Sequence, residues 1–228
     1  MNYNPVIVAL DVDSAAEARG LVRRLGPCAR FYKVGMELYA AAGMDMVREL
    51  LDSGKDVFLD LKLYDIPETV RRAVAVVART PVRFLTVHAV GAVMRAAMEG
   101  KTGSDLKLLA VTVLTSFGPH DLVELGYACP VADLVEKRAR QAVQTGIRGI
   151  VTSPREAALV RALTGPEVTI VTPGVRSAGR ETSDQKRIAT PAEALRAGAD
   201  YLVMGRQITR ASDPAAELAR VLDETAAA

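Results

Sequence analysis

Eight short runs of Val, Ile, Leu and Phe recur along this chain with longer helix-like segments between them, and this alternation limits the architecture most. The runs cover residues 6–10, 31–34, 57–61, 84–87, 108–114, 149–151, 168–171 and 201–204. Nearly unbroken apolar runs are what parallel strands need when both faces are covered. The segments between them carry apolar residues at helical spacing, as in Val70, Ala73, Val74 and Val77. Ser153-Pro154, Thr190-Pro191 and Asp213-Pro214 each set a capping side chain before a proline at the first helical position. A glutamate follows each proline within a turn, where the helix dipole favours it. Gly26, Gly54, Gly146 and Gly198 stand where the preceding helices should stop.

Strand–helix alternation of this kind folds either as a closed barrel or as an open doubly wound sheet. The count of eight, and the lack of a glycine-rich dinucleotide fingerprint after the first strand, favour a (β/α)8 TIM barrel. With no composition break or long linker, residues 1–228 are expected to form one domain. The 29 basic and 27 acidic residues leave a net charge of +2, which gives no general pull toward nucleic acid or an anionic membrane. Mean hydropathy is +0.15, and no stretch is free enough of charge to span a bilayer. The opening MNYNPVIVALD lacks the regions of a signal peptide. Cys28 and Cys129 are too few for a disulfide framework and have no metal-ligand spacing. Two free thiols in a soluble, cytoplasmic protein are expected.

In a βα barrel the loops after the strands build the active face. Reading the end of each run gives Asp11, Lys33, Asp60 with Lys62, His88, Thr115, Ser153, Pro173 with Arg176, and Gly205 with Arg206. Any one of these has a structural reading, since a buried charge is often half of an ion pair. The whole set converging on one mouth points to function. The densest piece is Asp60-Leu61-Lys62-Leu63-Tyr64-Asp65-Ile66-Pro67. Strand alternation turns Asp60 and Lys62 into the mouth and Leu61 toward the helices, with Asp65 in the following loop. Crowded charges cost desolvation energy unless they neutralise one another, so this is either a stiffening salt-bridge network or an active site.

Arg176 after the seventh strand and Gly205-Arg206 after the eighth suit an anion, and barrels often bind phosphate there. Solvated surface arginines are the alternative. The polar stretch 177–190 is long enough for a lid, with Gln185 in its middle. His88 reads more readily as a satisfied structural residue than as a catalyst. His120 is expected in an exposed loop, and Met44 and Met46 in the core.

The segments VALD, FYKVGMELY, FLDLKLYDIPETV, VHA, VTVLTS, VTPGVR, DQKRIATP and VMGR resemble, in order, the blocks of bacterial orotidine 5′-phosphate decarboxylases. The resemblance runs from Val8 to Pro214, and FLDLKLYDIPETV is its most specific block. It departs only locally: residues 88–92 lack a second glycine, and Thr152-Ser153 stands where Cys-Ser is more usual. The resemblance implies a cofactor-free barrel enzyme that needs no metal and acts as a homodimer on a small nucleotide. It implies that Asp11 and Lys33 hold the ribose hydroxyls and that Lys33 joins a charged network with Asp60, Lys62 and Asp65. Lys62 would donate the proton, and Asp65 would reach the neighbouring subunit's site. The segment Asp60, Leu61, Lys62, Leu63, Tyr64, Asp65, Ile66, Pro67, Glu68 and Thr69 would line the substrate. Thr115 would lie near the pyrimidine, while Arg176, Gln185, Gly205 and Arg206 would receive the phosphate.

These residue types suit that chemistry. Loss of CO2 from C6 leaves an in-plane electron pair that the ring cannot delocalise, and a fixed ammonium is the direct remedy. Two rivals are a Mg2+-dependent sugar-phosphate lyase with a similar Asp-x-Lys-x-x-Asp block, and a non-catalytic nucleotide-binding barrel. The metal-dependent enzymes resemble EVG at the end of strand two. This chain has Lys33-Val34-Gly35 there, and an ammonium repels a hard cation that a carboxylate would bind.

Overall fold

A computed structural model describes residues 4–179 and 189–226. Eight parallel strands close into a barrel in sequence order: β1 (Val6–Ala9), β2 (Phe31–Gly35), β3 (Asp56–Leu63), β4 (Phe84–His88), β5 (Lys107–Val111), β6 (Gly149–Val151), β7 (Thr169–Pro173) and β8 (Tyr201–Met204). Pairing of Val6, Ile7 and Val8 with Leu202, Val203 and Met204 closes the ring. The expected barrel is therefore the observed fold. Helices α1 (Ala15–Leu25), α2 (Met36–Asp52), α3 (Pro67–Val77) and α4 (Gly91–Gly100) follow the first four strands. Then come α5 (Pro119–Glu124), α6 (Val131–Gln144), α7 (Ala157–Thr164), α8 (Pro191–Arg196), α9 (Arg206–Thr209) and α10 (Pro214–Ala226). No helix among the described residues is long and apolar enough to cross a membrane.

Strand alternation sorts the apolar side chains into two cores. Val8, Tyr32, Val34, Leu59, Leu85 and Val87 face the helices, and α3 meets them with Val70, Val74 and Val77. Ile7, Phe31, Phe58, Phe84, Leu109, Val171 and Val203 fill the interior. Helix ends follow their sequence signals. Thr190 and Glu193 form a reciprocal capping box on α8, and Asp213 accepts from the amides of Ala215 and Ala216 on α10. Gly26, Gly54, Gly146 and Gly198 all take positive φ after their helices.

Several local expectations need correction. Ser153 does not cap a regular helix: its hydroxyl bonds the Glu156 carboxylate, and Pro154–Glu156 forms a single 3-10 turn. The ladder of β5 ends at Val111 rather than at residue 114, because the Arg138 guanidinium takes the Thr112 carbonyl. His120 lies in the short helix α5, not in a loop, although it is exposed as expected. β3 runs past residue 61 to Leu63, with a register shift against β4 between Leu59 and Leu63.

The barrel floor, opposite the strand C-termini, is closed by aromatic packing. Phe31, Phe84 and Tyr201 meet with ring centroids 5.2–5.7 Å apart. The Arg83 guanidinium lies over all three rings and bonds Asp56 and the Tyr201 hydroxyl. Cation–π contacts with three rings, each worth about 0.5–1 kcal/mol at an exposed site, plus a half-exposed ion pair should make Arg83→Ala cost about 2 kcal/mol. In a chain of this size that lowers Tm by about 4–8 °C. Turnover per folded molecule should be unchanged; calorimetry beside an activity titration checks both.

Candidate active site

The inward face of the first three strands changes from apolar to charged toward the C-terminal end: Ala9 is followed by Asp11, Phe31 by Lys33, and Phe58 by Asp60 and Lys62. The result is a line of alternating charge. Lys33 Nζ donates to Asp11 Oδ1 at 2.7 Å and lies 3.7 Å from Asp60 Oδ2. Lys62 Nζ donates to the same Asp60 oxygen at 2.9 Å. Lys33 and Asp60 are each only 8% exposed, so this exchange of partners is what makes their burial tolerable. Burial pushes the Asp60 carboxyl up, but Lys33, Lys62 and the hydrogen bonds from Lys62 and Thr86 outweigh it and hold its pKa below the usual range. A fixed carboxylate thus holds an ammonium at the mouth of the barrel.

Two residues without an obvious sequence signal shape this arrangement. Gly35 supplies room: a Cβ there would stand 2.8 Å from Lys33 Nζ and 3.1 Å from Asp11 Oδ1. Thr86, fully buried on the inner face of β4, donates its hydroxyl to Asp60 Oδ1 and accepts from the Lys62 amide, both at 2.9 Å.

A cavity of about 560 Å³ opens over these groups. Asp11, Lys33, Asp60 and Lys62 line it together with Arg176, Gly205, Arg206 and Arg210 from beyond β7 and β8. Leu114, Thr115 and Ser116 from beyond β5 join them, and Phe58, Val151 and Val203 supply apolar wall. The expected residues Asp11, Lys33, Asp60, Lys62, Thr115, Arg176, Gly205 and Arg206 therefore meet around one space. The loops bearing the two arginines are tied together. Gln207 Oε1 accepts from the Ser177 amide at 3.0 Å, and Gln207 Nε2 donates to the Ser177 hydroxyl at 2.7 Å. Glu217, Arg220 and Glu224 of α10 complete that polar knot. Gln185 and residues 180–188 of the expected lid lie outside the described residues.

The rest of the β3 block does not enter this cavity within one chain. Leu61, Leu63, Tyr64, Asp65 and Thr69 line a separate hollow of about 250 Å³ that shares only Lys62. Ile66, Pro67 and Glu68 line neither, and Glu68 pairs with Arg71. The backbone is the cause: Lys62 has φ +48°, and this left-handed step turns the chain away from the mouth. Asp65 is exposed, and its carboxylate accepts from the Ile66 amide at 2.6 Å rather than from Lys62. Within a single copy of the chain Asp65 does not reach Lys62, and the expected role of Asp65 is in a neighbouring subunit's site. His88 packs its ring against Tyr64 at 5.5 Å. Burial, Arg138 and Lys62 lower its pKa against the opposing pull of Asp60, which favours the neutral ring.

Residues 4–221 match the family model described as "Orotidine 5'-phosphate decarboxylase / HUMPS family". An orotidine 5'-phosphate decarboxylase of Bradyrhizobium sp. is 52% identical over 223 residues, covering 98% of this chain and 92% of that one. Its counterpart from Caulobacter sp. is 52% identical over 227 residues, covering 99% of each. The crystal structure of orotidine 5'-phosphate decarboxylase from Lactobacillus acidophilus superposes with a TM-score of 0.85 at 37% identity, covering 97% of this chain and 98% of that one.

Proposed function

This chain belongs to the orotidine 5′-phosphate decarboxylase/HUMPS family, and from that footing we propose that it converts orotidine 5′-phosphate to UMP and CO2 in pyrimidine biosynthesis. The observation that carries the reading is the Lys62 ammonium held 2.9 Å from a buried, ionised Asp60 at the wall of a nucleotide-sized cavity. The pyrimidine lies over Lys62, its ribose hydroxyls reach Asp11 and Lys33, and its phosphate reaches Arg176, Gly205 and Arg206. Thr115 contacts the ring side. As the C6–carboxylate bond breaks, its electron pair stays on C6 and CO2 leaves. The Lys62 ammonium faces that developing charge and then gives its proton to C6, which yields UMP. Because Asp60 fixes the ammonium beforehand, little reorganisation is needed at the moment of reaction. The whole transformation uses protein groups alone.

Lys33 separates this reading from that of the metal-dependent members of the family. Its ammonium occupies the end of β2 and is already paired with Asp11 and Asp60, which disfavours a hard cation at that position. The expected result with purified protein is a fall in orotidylate absorbance with stoichiometric CO2 release, undiminished by EDTA. Failure to consume orotidylate would remove the assignment, and loss of turnover on chelation would favour a metal-dependent route.

We further propose a cytoplasmic homodimer in which Asp65 completes the neighbouring subunit's site, and that the chain works as one barrel domain without nucleic-acid or membrane partners. Asp65 stands between Tyr64 and Ile66, which are 67% and 68% exposed, so an acid is carried on an apolar projection that a second copy can cover. Leu61, Leu63, Pro67, Glu68 and Thr69 then line the shared side. Inactive Lys62→Ala and Asp65→Ala chains, mixed and allowed to exchange, should recover about a quarter of wild-type activity, because half the dimers are hybrid and each has one complete site. No recovery despite demonstrated exchange would refute the sharing.

A further inference from the structure

We infer that Thr86 is a positioning residue for Lys62: its hydroxyl joins the Lys62 backbone to the Asp60 carboxylate, so one lysine is held at both its amide and its ammonium. The inference rests on the decarboxylase reading and adds to it a residue that touches neither substrate nor reacting atom. Register slips between β3 and β4 from Leu59 to Leu63, so the Lys62 amide has no ladder partner at its own level. It donates instead to Thr86 Oγ1 at 2.9 Å. With its lone pair engaged there, the hydroxyl directs its single proton to Asp60 Oδ1, also at 2.9 Å. The other oxygen of Asp60 accepts from Lys62 Nζ at 2.9 Å. The circuit closes through three residues on two strands.

Two costs explain why such a device is needed. Lys62 is the only non-glycine residue with positive φ among the described residues, and its left-handed backbone persists only where neighbours over-determine it. Asp60 must also keep its carboxylate plane aimed at Lys62 with Lys33 only 3.7 Å away as a competing partner. Thr86 answers both: it rewards the left-handed amide and occupies the carboxylate oxygen that would otherwise let Asp60 rotate. Its burial at 0% exposure keeps water from substituting for it.

The test compares Thr86→Val, Thr86→Ala and Thr86→Ser, with kcat counted per UMP-binding site so that misfolded protein is excluded. Valine and alanine should lower kcat about 10- to 100-fold, the usual value of a hydrogen bond to a charged group, with KM and UMP affinity within about threefold of wild type. Serine, which keeps the hydroxyl, should restore kcat to within about threefold. In the valine variant the acid limb of kcat should move to higher pH, because Asp60 loses a bond that favours its ionised form. Wild-type kcat in the valine variant, or a loss that serine does not rescue, overturns the inference. If wild type itself fails on orotidylate, the decarboxylase reading falls, and the crystal structure of Thr86→Val still decides the positioning role. Lys62 keeping its left-handed backbone and its bond to Asp60 there overturns it; a displaced Lys62 supports it.

Discussion

Replacing Lys62 by alanine is expected to lower turnover at least about 10⁴-fold while leaving a folded protein that still binds UMP. General acid catalysis is worth about 10²- to 10⁴-fold, and a preorganised charge at the site of developing negative charge about 10²- to 10³-fold. Lys62 would supply both, so its loss should exceed either alone. The fold should tolerate the change. Asp60 keeps Lys33 as an opposite charge and Thr86 as a donor, so its carboxylate is not left buried and unpartnered. Single-turnover decarboxylation beside calorimetric UMP titration separates the two effects. Turnover within about tenfold of wild type would be too large for the role given to Lys62.

The second large effect belongs to Arg206. Arg206→Ala should reduce kcat/KM for orotidine 5′-phosphate about 10²- to 10³-fold, equivalent to roughly 3–4 kcal/mol, the range for losing one partner of a buried charge pair. Decarboxylation of orotidine, which lacks the phosphate, should be unaffected. On the proposed assignment Arg206, which follows β8, would meet the phosphate while Lys62 of β3 would face the reacting carbon, so the arginine would act on the reaction only through the phosphate. Remote binding energy of this kind appears in the rate when it drives the site into its working geometry. An equal loss on nucleotide and nucleoside would remove Arg206 from phosphate binding.

Much of this was legible before any coordinates. Eight apolar runs announced the barrel because strands covered on both faces cannot afford polar residues until they reach the rim. The same rule marked Asp11, Lys33, Asp60 and Lys62, each of which breaks an apolar run at its C-terminal end and each of which lines the cavity. Alternation carried the reading as far as Lys62 and no further. A β-bulge and a positive φ are not written in a two-residue pattern, so the course of Leu63, Tyr64 and Asp65 away from the mouth of their own barrel was not legible in it. Thr86 was hidden for a related reason: a lone threonine suits a strand interior, and its partners lie 24 and 26 residues away. Gln207 and Ser177 are 30 residues apart and find each other only because β7 and β8 are neighbours.

The most direct measurement is a crystal structure with UMP bound. The expected result is Lys62 Nζ beneath the pyrimidine, about 2.6–3.2 Å from C6, still bonded to Asp60. An amine turned toward solvent, with the ring held over other residues, would contradict the central role of Lys62.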